Sequence, residues 1–165
     1  VLDLACGTGR HLRLFLAAGH PVVGIDRDLE RVRDLGAVAG VELIERDLET
    51  GDDPGLGEAS FEGIVVTNYL VRPLFPALLA ALAPGGVLIY ETFAQGNERF
   101  GRPRNPDFLL APGELRERTR GLEELAYEHG EVERADGGRA VVQRICARRP
   151  TPDSEAASRS APTRA

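Results

Sequence analysis

Methionine and tryptophan are absent from the chain, and its 20 basic residues are all arginine, with no lysine. An arginine-only bias of this kind reads as the codon composition of a GC-rich genome and carries no chemical information. Aromatic residues amount to 5%, and no apolar run approaches the roughly 20 residues of a membrane-spanning helix. Cysteine is scarce too. Cys6 and Cys146 cannot supply a four-thiolate zinc site, and no metal site is expected. Their positions argue against a disulfide, so a reducing, cytoplasmic setting is expected. An excess of cations is also missing: 20 basic against 26 acidic residues leave a net charge of −6. That balance argues against a general nucleic-acid surface. The 165 residues present suffice for one hydrophobic core.

What is present is concentrated at the start. Val1 to Gly9 read VLDLACGTG, an apolar strand with an acid inside it and two glycines at its end. Leu12, Phe15, Leu16 and Gly19 follow at helical spacing, so the turn opens onto a helix N-terminus. Strand, glycine turn and helix together make a nucleotide cradle. Glycines at 7 and 9 remove the Cβ atoms that would hold a ligand away from the backbone. The dinucleotide fingerprint G-x-G-x-x-G would need a third glycine where Leu12 stands, which argues against a nicotinamide dehydrogenase.

With Asp3 four residues ahead of Gly7, the run Asp-Leu-Ala-Cys-Gly-Thr-Gly resembles motif I of the class I S-adenosylmethionine-dependent methyltransferases. Leu82 to Ile89 (Leu-x-Pro-Gly-Gly-x-Leu-Ile) reproduce a second hallmark of that family, the turn before its fifth strand. The Asp-Leu-Ala-Cys-Gly-Thr-Gly-Arg opening and the Tyr-Glu-Thr-Phe run at 90–93 are most similar to small bacterial members of the tellurite-resistance type. The resemblance spans residues 1–149. It implies an α/β fold: a Rossmann-like, mostly parallel seven-stranded sheet, helices on both faces and a C-terminal antiparallel hairpin. It implies S-adenosyl-L-methionine as cofactor.

Site residues follow from that resemblance and from the rule that ligands lie beyond the carboxyl ends of parallel strands. In the first turn they are Asp3, Ala5, Cys6, Gly7, Thr8, Gly9 and, one helical turn on, His11. Cys6 reads as a small residue whose backbone faces the cofactor, with a nucleophilic thiol as the alternative. Asp26 closes the second strand, Pro21 to Ile25, and is placed with Arg27 against the ribose. Asp26 could instead be a helix cap, although Asp28 can already fill that place. Asp47 and Leu48 follow the third strand, Val41 to Glu45, and match the adenine-binding position, unless the acidic stretch that Asp47 begins is only a solvated loop. Asn68 and Tyr69 end the fourth strand, Phe61 to Thr67. Without the proline pair of the amine-gripping subclass, Tyr69 is assigned either to the acceptor pocket or to packing.

Glu91, at the end of the fifth strand, is the candidate proton acceptor. The loop from Glu91 to Leu110 carries Arg99, Arg102 and Arg104 around Phe100, either an anion site or a solvated basic loop. Helices are expected at Arg10 to Gly19, around Leu29 to Leu35, at Arg72 to Leu82 and from Pro112 to Thr119. Leu122 to Val132 and Arg139 to Ala147 flank Asp136-Gly137-Gly138, a hairpin signal.

The chain opens inside a strand without methionine. Relatives carry a helical segment ahead of that strand, so an N-terminally truncated domain is expected over 1–149. Residues 150–165, rich in Pro, Ser, Thr and Ala, are expected as a disordered tail. The function expected is methyl transfer to a small-molecule acceptor, with no membrane and no nucleic-acid partner. A methyltransferase acting on RNA or protein and a non-catalytic cofactor-binding protein are the alternatives.

Overall fold

A computed structural model describes residues 1–152. The tail expected at 150–165 therefore lies, from residue 153 onward, outside the described residues. Seven strands among the described residues form one sheet in the order β3-β2-β1-β4-β5-β7-β6. They are β1 Leu2–Leu4, β2 Val22–Asp26, β3 Val41–Glu45, β4 Phe61–Thr67, β5 Leu82–Phe93, β6 Glu123–Glu133 and β7 Arg139–Arg148. β1 to β5 run parallel, and β7 runs antiparallel to both β5 and β6. This is the fold class expected, including the closing hairpin.

Alternation along the strands divides the core. Leu2, Leu4, Ile25, Ile64, Val66, Leu88 and Tyr90 pack with α2 (Phe75–Ala81) and Leu115 of α3 (Glu114–Arg118). On the opposite face Val22 and Cys6 pack with Leu12 of α1 (Arg10–Ala17) and with Val32 and Leu35. Each face is buried because a helix covers it, which is what keeps the parallel strands apolar.

Several expected boundaries shift for physical reasons. The helix expected around Leu29 to Leu35 is a 3-10 turn, Glu30–Leu35. Residues 72–82 divide into a 3-10 turn, Arg72–Leu74, and α2. β5 starts at Leu82, inside the run expected as the turn before it, because Leu82 pairs with Phe61 ahead of a register shift. It also continues past Glu91, since Glu91, Thr92 and Phe93 pair with Arg144, Gln143 and Val142 of β7.

The long loop therefore begins at Ala94, and it is closed at its base. An Ala94–Leu110 bridge is flanked by Leu110 N–H donating to Phe93 O at 3.0 Å. Asn97, buried at its centre, accepts from Val141 N–H at 3.2 Å and donates to Pro103 O at 3.2 Å. It is an ordered Ω-type loop packed by its own residues.

No helix among the described residues is long and apolar enough to cross a membrane. The same residues contain no cluster of three or more His, Cys, Asp or Glu suited to a metal ion.

Candidate cofactor crevice

Four parallel strands end on one side of the sheet, and their ends surround a cavity of about 470 Å³. Its floor is the turn after β1. Ala5 (φ 56°), Gly7 (φ 52°) and Gly9 (φ 70°) all adopt left-handed backbone conformations there, folding the chain back on itself before α1 begins. Cys6 N–H donates to Ile25 O at 3.1 Å, which ties the turn to β2. Gly7 N–H donates to Asp26 Oδ2 at 2.8 Å, and Asp28 N–H donates to Asp26 Oδ1 at 3.2 Å. Asp28 in turn accepts from Glu30 N–H at 2.9 Å. Asp28 thus closes an Asx turn just ahead of Leu29, the cap of the 3-10 turn, and Asp26 joins the glycine turn to the end of β2.

The cavity brings together Ala5, Cys6, Gly7, Thr8, His11, Asp26, Arg27, Asp47, Leu48, Asn68 and Tyr69. Three of the expected site residues stand elsewhere. Asp3 is buried at 2% exposure and does not line the cavity. Gly9 faces the helix layer, where a Cβ would meet Val32 Cγ1 at 2.6 Å. Its small size serves packing between turn and core. Gly7 has nothing within 4 Å of a Cβ, so there the requirement is the backbone angle and the open space above it.

Glu91 lines an adjoining cavity of about 340 Å³. Its carboxylate accepts from Arg144 Nε at 2.5 Å, and Arg144 also reaches Glu128 at 2.9 Å. Of the loop's arginines, Arg99 is committed elsewhere. Arg99 pairs with Glu131 at 3.0 Å and lies 5.1 Å from the Phe100 ring. Arg139 covers the same ring at 5.0 Å and pairs with the same carboxylate. Phe100 is packed between these cations, which excludes Arg99 from a free anion site.

Arg10, Arg46, Glu49 and Thr67 also line the main cavity, and sequence reasoning missed them. Thr67 could have been found, because it is the last residue of β4 and the strand-end rule applies to it. Arg10 follows directly from the glycine turn. Its guanidinium donates to Thr67 Oγ1 at 3.2 Å.

The electrostatics limit what these groups can do. Burial, reinforced by the carboxylates of Asp3 and Asp26, pushes the Cys6 thiol up to about 12. It stays protonated near neutrality and is no ready nucleophile. Burial and the carboxylates of Glu49, Asp47 and Asp26 also raise Tyr69, leaving a phenol that can donate a hydrogen bond. Burial and Arg10 lower His11, so its imidazole is neutral at pH 7.

Beneath His11, burial raises Asp3 to about 7, partly offset by the Leu12 N–H and by Arg10. His11 Nδ1 lies 3.7 Å from Asp3 Oδ1, too far for a hydrogen bond. A neutral imidazole at that distance is no counter-ion. Asp3 Oδ2 has no hydrogen-bond partner, so its ionised form is poorly supported by the protein.

A pH dependence follows. A carboxyl whose folded value lies near 7 holds a proton that the unfolded chain gives up near 3.8. Its contribution to stability therefore falls as pH rises through that window and is lowest above 7. Asp3→Asn should raise stability at pH 8, with the gain shrinking as pH falls towards 4. Denaturant melts of both proteins at pH 5 and pH 8 check this; a gain independent of pH would contradict it.

The family model described as a methyltransferase domain matches residues 1–86. No curated protein matches the sequence. Among solved structures, an S-adenosylmethionine-dependent methyltransferase from Methanosarcina mazei is 17% identical with a TM-score of 0.69, covering 91% of this chain and 92% of that one. TehB from Haemophilus influenzae is 18% identical with a TM-score of 0.72, over 90% of this chain and 57% of TehB. The 1,6-didemethyltoxoflavin-N1-methyltransferase of Burkholderia thailandensis, solved with bound 1,6-didemethyltoxoflavin and S-adenosylhomocysteine, is 21% identical with a TM-score of 0.67, over 90% of this chain and 70% of that one. At these identities the structural likeness is one of fold.

Proposed function

We propose, from the premise that the chain belongs to the methyltransferase-domain family and is an S-adenosylmethionine-dependent enzyme, that it methylates a small molecule by in-line displacement. Residues 1–149 form the domain concerned, and a reducing cytoplasm suits its free cysteines. The observation that carries the reading is the 2.8 Å bond from Gly7 N–H to Asp26. It supports a single crevice in which the glycine turn and the β2 carboxylate meet one ligand.

The residues present fit the cofactor. The cavity is of ligand size, its floor is backbone without Cβ obstruction at Gly7, and acidic acceptors stand at the ends of β2 and β3. Asp26 would hold the ribose hydroxyls, Asp47 and Leu48 the adenine, and Gly7 and Thr8 would lie against the sulfur side. Bound S-adenosylmethionine supplies a methyl carbon made electrophilic by its sulfonium. The protein's task is then mostly orientation and exclusion of water. Tyr69 and Asn68 border the cavity where an acceptor would approach. His11, neutral at pH 7, is the cavity side chain suited to hold a proton released by the acceptor. Glu91, committed to Arg144, shapes the wall beside it.

Asp26→Ala should weaken S-adenosylhomocysteine binding by about 1–3 kcal/mol, roughly 5- to 150-fold, the scale of leaving hydrogen-bonding groups unpaired. Calorimetric titration of both proteins measures it, with a thermal melt to report any loss of the Gly7 anchor. An unchanged affinity in a folded variant would remove Asp26 from the site. The choice of acceptor is tested by incubating the protein with a labelled methyl donor and cell lysate. Label in RNA or protein, and none in small metabolites, would overturn the small-molecule reading.

A further inference from the structure

Asn68 is where three cavities meet. It lines the main crevice, the 340 Å³ cavity beside Glu91, and a third of about 270 Å³ under the Ω loop. Its backbone is left-handed (φ 55°), an uncommon state for a side-chain-bearing residue, fixed by its N–H donating to Glu91 O at 2.9 Å. Its exposed carboxamide makes no hydrogen bond to another described residue. A polar group with free donors and acceptors thus stands at the junction.

The walls on either side differ in chemistry. The cavity under the Ω loop is bounded mainly by the rings of Tyr69, Phe93 and Phe108 with Leu70 and Pro103, and Glu49 and Thr92 complete its lining. Phe108 is 46% exposed, a large apolar ring left at the rim. Three flat apolar groups around one cleft suit a planar ring, which gains burial and aromatic contact together. On the polar side, Arg144 is committed to Glu91 and Glu128, and Arg134 to Asp136 at 3.3 Å. Arg10 makes no carboxylate ion pair within 4 Å among the described residues, although its charge acts on the buried Asp3, and its sole hydrogen bond there goes to the Thr67 hydroxyl. It lines both the main crevice and the polar cavity.

From this juxtaposition we infer that the methyl acceptor is a planar aromatic compound carrying a carboxylate or similar anion. Its ring occupies the Tyr69–Phe93–Phe108 cleft, its anion faces Arg10, and the Asn68 carboxamide orients the group between them. This rests on the proposed cofactor crevice and adds the acceptor's chemical class. The carboxylate provides a charge-assisted partner for the guanidinium. The ring provides what Phe108 lacks, an apolar surface to cover it.

The experiment uses the full chain saturated with S-adenosylhomocysteine, titrated calorimetrically with 2-naphthoate and with its neutral counterpart, 2-naphthylmethanol. Naphthoate is expected to bind about tenfold more tightly than the alcohol, the scale of one charged hydrogen bond. Arg10→Gln, studied at saturating S-adenosylhomocysteine, should abolish that preference. Phe108→Ala, at the rim, should weaken both ring ligands roughly equally. Equal binding of the two ligands, or a preference surviving in Arg10→Gln, would overturn the assignment. If S-adenosylhomocysteine itself fails to bind the unaltered chain, the crevice reading falls and the acceptor class with it. If it binds and naphthoate does not, only the acceptor class falls.

Discussion

Gly9→Ala should destabilise the protein by about 3 kcal/mol, a sum of two separate costs. The first is conformational: Gly9 sits at φ 70°, where an L side chain pays roughly 1–2 kcal/mol. The second is steric. A Cβ there would lie 2.6 Å from Val32 Cγ1, and Val32 is fully buried, so relief requires a shift in the core at about 1–3 kcal/mol. In a domain of this size the melting temperature should fall by roughly 6–12 °C.

Gly7→Ala separates the two. Its φ of 52° is comparable, but nothing lies within 4 Å of the new Cβ. That variant should lose only the conformational part of stability, about 1–2 kcal/mol, while intruding on the cavity. A double-mutant cycle of Gly9→Ala with Val32→Ala should show favourable coupling as the clash is removed. Equal melting temperatures for Gly7→Ala and Gly9→Ala would refute the steric half of the argument.

The second large effect is expected at Glu114, whose side chain is 10% exposed. It accepts from Arg72 Nε at 2.7 Å and Nη2 at 2.9 Å, from Arg118 Nε at 2.8 Å and from Ala111 N–H at 3.0 Å. Burial alone would raise its carboxyl, but the bonds from Arg72, the Ala111 N–H and Arg118 outweigh it and hold it down at about 2. Arg72 also donates to the carbonyls of Asp107 and Leu109. One carboxylate therefore ties together the end of the Ω loop, the start of α3 and the turn before α2.

Glu114→Ala strands a half-buried guanidinium and should cost about 3 kcal/mol, the low end for a broken buried pair. Glu114→Gln keeps the shape and should cost less. Because the folded carboxyl lies below its ordinary 4.5, the stabilisation is full above that pH and is lost as pH falls towards 2. Acid titration monitored by circular dichroism should show the unaltered protein losing stability across that window and the alanine variant lacking this contribution. Identical acid profiles would sink the account.

The extent to which this was legible in the sequence varied with the kind of interaction. β3 and β4 fall where expected, because apolar runs between polar punctuation define buried parallel strands. The glycine turn was legible because its geometry is local. Gly9 was placed against a ligand when its neighbour is Val32, a residue 23 positions away whose approach no local pattern encodes. Glu91 illustrates the same limit. Its occupation by Arg144 depends on the antiparallel register of β5 against β7, and register is set by the whole sheet. Arg10 and the ring cleft depend on which cations find partners, and pairing is decided only in three dimensions.

β1 is three residues long, yet it is the middle of the crevice. Leu2 pairs with Val23 on one side and with Ile64 on the other. During synthesis the strand can meet its first neighbour early, but its second does not exist until β4 has left the ribosome. Closing that long loop is the entropic toll which precedes any reward from pairing. A nascent chain halted before Ile64 would thus carry the complete glycine signature and still have no place to hold a nucleoside.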